Sequence, residues 1–416
     1  MWHLQNLKLA LQTMMLVFLL AGAAIAQEIV RIGNVPLPSD AIEAREGPSG
    51  FAGTWVGQWD GWRNHILIIE RVSENGLSDV VYAVGSDLNG PGRWFRRKAK
   101  IQDDTLTFVD DGFPASYQLS KTGRVRGVFD DYRGFAVLER RNLSDILASP
   151  GKDWFSIGHR EYLYTDLVEN GQPIRLTVVT YAPKGVGPFP LALIHHGSTG
   201  SGTRPSDFDR VWTSAWLADL LNEHGWLVAF PYRRGRGMSD GLYDEGFAPN
   251  RADGYSPEAA VSLPGAERAL TDANAALAVL RLRPEVEQSK ILVGGVSRGG
   301  VVAIMQAGSR PDEVVGVINF VGGWTGKKGD ASINPTLFKR ISPFKGEVLS
   351  IYGEEDPYYS IEHSKSNLAE MEKQGAGSTL HVLKLPGYGN GHRVITMPSF
   401  WEKEVEQFLR RIDRPE

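Results

Sequence analysis

The chain has 416 residues, 42% of them hydrophobic, with Lys+Arg 45 against Asp+Glu 49 and no cysteine. That is too long for one ordinary domain and apolar enough for a sizeable core, so two domains are expected, one of them large. A formal net charge of -4 leaves no basic excess for nucleic acid, and a chain without cysteine has neither disulfides nor a thiol nucleophile.

The first element expected is a targeting signal over residues 1–26. Lys8 precedes an apolar run over 9–23 that ends in Ala24-Ile25-Ala26 before Gln27, small residues at the spacing of signal-peptidase cleavage. Gln12 and Thr13 interrupt the run, which is short against the roughly 20 apolar residues of a spanning helix. This predicts a periplasmic or secreted protein without a stable membrane anchor after cleavage. Residues 27–50, rich in Pro, Gly and polar residues, read as an irregular linker.

Residues 51–145 predict a small all-β meander. Strand-like pieces at 54–59, 65–69, 79–84, 94–96, 105–108, 115–119, 124–129 and 136–139 are separated by turn-forming pairs such as Asn75-Gly76 and Asp103-Asp104. Alternation of this kind suits a barrel or a sandwich. Trp55, Trp59, Trp62, Trp94 and Phe95 either fill its core or line a sugar- or lipid-binding face.

From residue 150 to 416 the period changes. A hairpin at 161–167 and 174–181 precedes strands at 191–195, 226–230, 291–296, 314–320, 347–353 and 380–385. Helical spacing appears at 211–221, at 266–282 before Pro284, and at 400–412. Alternating strands and helices imply an α/β domain with a mainly parallel sheet, and the irregular stretches 241–261 and 322–340 suit lids or pocket walls.

Three stretches carry chemistry. Gly295-Val296-Ser297-Arg298-Gly299 is a G-x-S-x-G turn between a buried strand and a helix, the setting of a serine nucleophile. After the strand at 347–353 come Glu354, Glu355 and Asp356. After the last strand comes His392 on a glycine-rich loop. A serine hydroxyl needs an imidazole to take its proton and a carboxylate to hold that imidazole, so Ser297, His392 and Asp356 are the expected triad. Glu354 and Glu355 are rival acids, and His224, His363 and His381 rival bases. An oxyanion hole is expected from the backbone amides of Ser198 or Thr199, after His196-Gly197, and of Arg298. The arginines at 233, 234 and 236 either belong to a loop or meet an anionic substrate group. The glycine-rich run at 197–203 lacks the lysine of a phosphate-binding P-loop.

Together these motifs, with Arg234-Gly235-Arg236-Gly237-Met238-Ser239-Asp240-Gly241, resemble the α/β-hydrolase superfamily from about residue 153 onward. The likeness is to dienelactone-hydrolase-like and prolyl-oligopeptidase-like members. Dienelactone hydrolases proper use a cysteine nucleophile, which this chain lacks, and a propeller of the prolyl-oligopeptidase kind does not fit in this length. The resemblance implies a serine hydrolase working through an acyl-enzyme, with no metal or cofactor. Its substrate is expected to be a small-molecule ester, the alternatives being a short peptide or an acylated carbohydrate.

Overall fold

The computed structural model describes residues 28–45, 50–87, 90–109, 112–130, 134–385 and 389–413, so the targeting segment expected at 1–26 lies outside the described residues. Within 27–50 the structure differs from the irregular linker expected. Strands β1 (Ile29–Ile32) and β2 (Val35–Pro38) form an antiparallel hairpin, turned at Gly33 with φ 53°. Ile32, Val35 and Leu37 are fully buried against Val56, Ile66, Ile68 and Val81. Pro36 and Pro38, which argued for a linker, are tolerated because a two-stranded sheet is all edge.

Eight strands follow: β3 (Gly53–Trp59), β4 (Arg63–Val72), β5 (Leu77–Val84), β6 (Arg93–Gln102), β7 (Thr105–Phe108), β8 (Ala115–Leu119), β9 (Val125–Phe129) and β10 (Gly134–Arg141). Each pairs antiparallel with the next, and β10 returns to β3, closing a barrel. Period-2 alternation fits barrel and sandwich alike; closure is a tertiary fact. Eight strands leave an interior that side chains can fill. Here Trp55, Trp59, Tyr82 and Tyr117 fill it with Phe108 and Phe113, largely edge to face. His65 is fully buried among them, its Nδ1 2.7 Å from the Ala83 carbonyl and its Nε2 2.7 Å from Tyr117 Oη. Trp55 and Trp59 are therefore core residues, while Trp62 is exposed on a turn and Trp94 and Phe95 are half-buried.

Helix α1 (Leu143–Ala148), capped by Asn142, leads out of the barrel. The second domain is an eight-stranded sheet of β11 (His159–Glu169), β12 (Gln172–Tyr181), β13 (Phe189–His195), β14 (Leu227–Pro231), β15 (Val286–Val296), β16 (Val314–Phe320), β17 (Glu347–Gly353) and β18 (Gly377–Leu383). The spatial order is β11-β12-β14-β13-β15-β16-β17-β18, parallel from β14 onward, with β12 antiparallel to both neighbours. Continuous apolar runs such as Ile291 to Val293 are buried completely, as strands covered on both faces require. The helices are α2 (Ala215–Glu223), α3 (Ala259–Leu280), α4 (Arg298–Ser309), α5 (Ile333–Phe338), α6 (Ile361–Glu372) and α7 (Glu402–Ile412). Helix α3 starts earlier than its apolar spacing predicts and accommodates Pro264. The stretches 241–261 and 322–340, expected to be irregular, are anchored by the buried side chains of Tyr243, Phe247, Trp324 and Phe338, and the second contains α5.

The barrel is bolted to this domain by charge. Asp219 of α2, whose carboxylate is fully buried, receives Arg126 Nε of β9 at 2.6 Å and Arg124 Nη1 at 3.3 Å, while Arg126 also reaches Glu402 of α7 at 2.9 Å. Phe135 packs edge-on against Trp216 beside them.

Candidate active site

Strand β15 lies inside the parallel sheet, and the chain turns sharply where it ends. Ser297 has φ 57° and ψ -123°, a conformation that costs a non-glycine residue about 1–3 kcal/mol. The turn closes because Ser297 N donates to Phe320 O at 2.9 Å while Ser297 O accepts from Gly300 N at 2.9 Å and Gly323 N at 3.3 Å. A Cβ at Gly295 would stand 2.3 Å from Gly299 O, and one at Gly299 would stand 2.1 Å from His195 O. That crowding is the physical reason for the glycine spacing. Helix α4 starts at the next residue, so its unpaired N-terminal amides and positive dipole end face the serine.

Asp356 lies on the loop after β17, its carboxylate fully buried. Oδ1 accepts from the amides of Tyr358 at 2.8 Å and Tyr359 at 3.1 Å, and Oδ2 is 2.8 Å from His392 Nδ1. Two loops must touch for this pair to form. They do so through glycines: a Cβ at Gly353 would lie 2.4 Å from Gly391 O, and one at Gly391 would lie 2.1 Å from Glu354 O. With Nδ1 turned to the carboxylate, His392 Nε2 is left to accept a proton. The rivals lie elsewhere. Glu354 and Glu355 are exposed, His363 bonds Asn334 at 2.8 Å, His381 sits 3.6 Å from Glu404, and His224 ends α2.

The loop after β13 passes beside the serine, since a Cβ at Gly197 would lie 3.2 Å from Ser297 Cβ. Of the amides expected there, that of Thr199 donates to Tyr255 Oη at 3.4 Å, and Ser198 is half-buried with its hydroxyl 3.4 Å from Gly200 O. The Arg298 amide opens α4.

The arginines serve the scaffold. Arg233 is paired with Glu245 at 2.5 Å and donates through Nη2 to His196 O at 2.9 Å; Arg234 pairs with Asp272 at 2.7 Å; Arg236 donates to Gly197 O at 3.3 Å. All three are buried. Arg298 is buried too, donating to Trp324 O at 3.0 Å and Glu245 O at 2.9 Å, with its guanidinium 3.7 Å from the Tyr255 ring centre. Burial alone would raise the Glu245 carboxyl, yet Arg233, Arg298 and Arg236 hold it below the ordinary carboxylate range. Sequence reasoning missed Glu245 because it stands in a stretch without period. It also missed Tyr359, whose phenol donates to Gly323 O at 2.8 Å and whose amide donates to Asp356 Oδ1 at 3.1 Å. Among the described residues no group of three or more His, Asp and Glu is arranged to hold a metal ion.

A sheet in this strand order, with a strained serine after β15 and an Asp–His pair beyond β17 and β18, defines the α/β-hydrolase fold. Residues 213–391 match the dienelactone hydrolase family, so the chain is dienelactone-hydrolase-like across that stretch, with a serine at the turn. No curated protein matches the chain. Solved structures similar to it include a protein described as a predicted CIB-like hydrolase from Thermoplasma acidophilum, at 19% identity over 62% of this chain and 97% of that one, with a TM-score of 0.38. Est1E from Butyrivibrio proteoclasticus, solved with ferulic acid bound, matches at 18% over 60% of this chain and 99% of that one, with a TM-score of 0.41. An S-formylglutathione hydrolase from Agrobacterium tumefaciens matches at 14% over 61% of this chain and 96% of that one, with a TM-score of 0.42. Likeness at this level says nothing of substrate.

Proposed function

We propose that this protein is a serine hydrolase that cleaves a carboxylic ester through an acyl-enzyme. Ser297 Oγ attacks the carbonyl carbon while its proton passes to His392 Nε2; Asp356 holds the imidazole by Nδ1 and stabilises the imidazolium. The amides of Ser198 and Arg298 are the oxyanion donors, the Thr199 amide being engaged by Tyr255. The imidazolium then gives its proton to the leaving alkoxide, and water repeats the sequence to release the acid. The observation that carries this reading is the Ser297 turn at the same sheet edge as the 2.8 Å Asp356–His392 pair. An ester is favoured because its leaving group asks less of the general acid than an amine does.

The test is hydrolysis of a short-chain p-nitrophenyl ester series by the wild type and Ser297→Ala. Activity lost in the variant supports the reading, and chain-length preference sizes the acyl pocket. Equal activity in both would sink it. We further propose that the enzyme is exported, on the strength of Lys8, the apolar run over 9–23 and Ala24-Ile25-Ala26. N-terminal mass analysis of the secreted or periplasmic product is expected to begin at Gln27; an uncleaved product retained with the cells would refute export.

A further inference from the structure

We infer that Glu245 is a positioning residue for the oxyanion hole, its buried carboxylate and its backbone carbonyl together holding the loop that carries the Ser198 amide and the helix end that carries the Arg298 amide; this rests on the hydrolase reading above. Three lines of contact run from it. Oε1 takes Arg233 Nε at 2.5 Å, and the same guanidinium donates through Nη2 to His196 O at 2.9 Å. Oε2 accepts from Tyr243 Oη at 3.0 Å. An ionised carboxylate only accepts, so the Tyr243 oxygen is left to accept from Tyr255 Oη at 2.7 Å, and Tyr255 in turn accepts from the Thr199 amide at 3.4 Å. The Glu245 carbonyl accepts from Arg298 Nη1 at 2.9 Å, and that guanidinium lies over the Tyr255 and Trp324 rings, 3.7 Å and 4.5 Å from their centres.

The aim of the Ser198 amide follows from this hold. Arg233 N donates to His196 Nε2 at 3.3 Å, so the imidazole proton is on Nδ1 and goes to Gly197 O at 2.8 Å, where Arg236 Nη1 also donates at 3.3 Å. Gly197 C=O and Ser198 N–H belong to one planar trans peptide and point opposite ways, so pinning the carbonyl aims the amide. Donors already aimed need no reorganisation when charge builds on the substrate oxygen. Glu245 is itself fixed, because a Cβ at Gly265 of α3 would stand 2.3 Å from Glu245 C and the loop backbone rests directly on the helix. It touches no reacting atom and transfers no proton; it acts through Arg233, Arg298 and the two phenols.

The experiment compares wild type, Glu245→Gln, Arg233→Lys and Asp272→Asn as full chains. Glutamine keeps the shape but, with its oxygen on Arg233, turns an amide donor toward Tyr243 and reverses the phenol chain. Lysine keeps a charge beside Glu245 but lacks the fork that also reaches His196 O. Asp272→Asn is the control: this carboxylate is buried too, and it bonds Arg234 N at 2.9 Å and Nε at 2.7 Å rather than either donor segment. The readouts are kcat and KM on a short p-nitrophenyl ester, Tm, and inhibition by a trifluoromethyl ketone, to whose carbonyl Ser297 Oγ adds reversibly, its proton going to His392 and leaving an oxyanion. Glu245→Gln and Arg233→Lys are each expected to lower kcat about thirtyfold, short of the roughly 10²–10³ lost when one donor is removed outright, and to weaken the ketone by the same factor at unchanged KM. Asp272→Asn is expected to keep wild-type kcat and ketone binding even where its Tm falls as far. A kcat within about threefold of wild type in Arg233→Lys or in folded Glu245→Gln, a rise in KM without loss of ketone binding, or an equal kcat loss in Asp272→Asn would overturn the inference and leave the hydrolase reading standing. Should Glu245→Gln fail to fold, Arg233→Lys decides. A wild type that neither turns over the ester nor binds the ketone would overturn both.

Discussion

Acidification is expected to destabilise this protein through histidines it keeps neutral. Burial lowers His65 to about 3 and His195 to about 4, and drives His196 well below its ordinary value, with Arg233 and Arg236 adding to the effect. His65 must stay neutral because Nδ1 donates to Ala83 O and Nε2 accepts from Tyr117, leaving no place for a second proton. The unfolded chain takes up a proton near pH 6.5 that the folded chain refuses, so the stability is complete above that pH and drains away as pH falls, by about 1.4 kcal/mol per unit for each histidine. Between pH 7 and 5, His65 and His195 each remove about 2 kcal/mol, together about 4 of the 5–15 kcal/mol typical of a folded protein. Asp60, Asp272 and Glu402, raised mainly by burial, act with the opposite sign, so the wild-type slope alone is not diagnostic. The informative comparison is urea unfolding of wild type and His65→Gln at pH 7, 6 and 5. Glutamine can still donate to Ala83 and accept from Tyr117 but does not titrate. The variant is expected to be less stable at pH 7 and to lose about 2 kcal/mol less on going to pH 5. Parallel losses in the two proteins would refute the reasoning. Activity measured over the same range has to be read beside the folded fraction, since acid acts on the fold as well as on the base.

Asp356→Asn is expected to lower kcat by about 10³–10⁴ with little change in KM, because the amide no longer holds the His392 tautomer; steady-state kinetics check it, and a loss under tenfold would point to Glu354 or Glu355 as the acid. Arg126→Ala strips the main partner from the buried Asp219 carboxylate and is expected to cost about 3 kcal/mol in denaturant unfolding. A cost under about 1 kcal/mol would mean that Arg124 and water suffice at the barrel junction.

Much of this protein was determined by its sequence alone. The eight pieces that became β3 to β10 each carried their own alternation and turn residues, and the strands of the second domain with helices α2, α3 and α7 their own periods, whereas α5 formed inside a stretch without one. The reason is that amphipathic patterning and turn chemistry are local: Gly295 and Gly299 announce a tight turn wherever the chain goes. Residues 29–38 were misjudged because Pro36 and Pro38 argue against a strand unless a neighbouring surface buries Ile32, Val35 and Leu37, and that surface is the outside of a barrel formed later in the chain. Closure of β10 on β3, the docking of Arg126 on Asp219, the burial of Arg233 and Arg298 around Glu245, and the meeting of the Tyr359 phenol with Gly323 O were decided only by the tertiary structure. Each depends on residues far apart in the chain, and a carboxylate or a phenol in an irregular loop carries no signal of its partner until the sheet has brought the two loops to one edge.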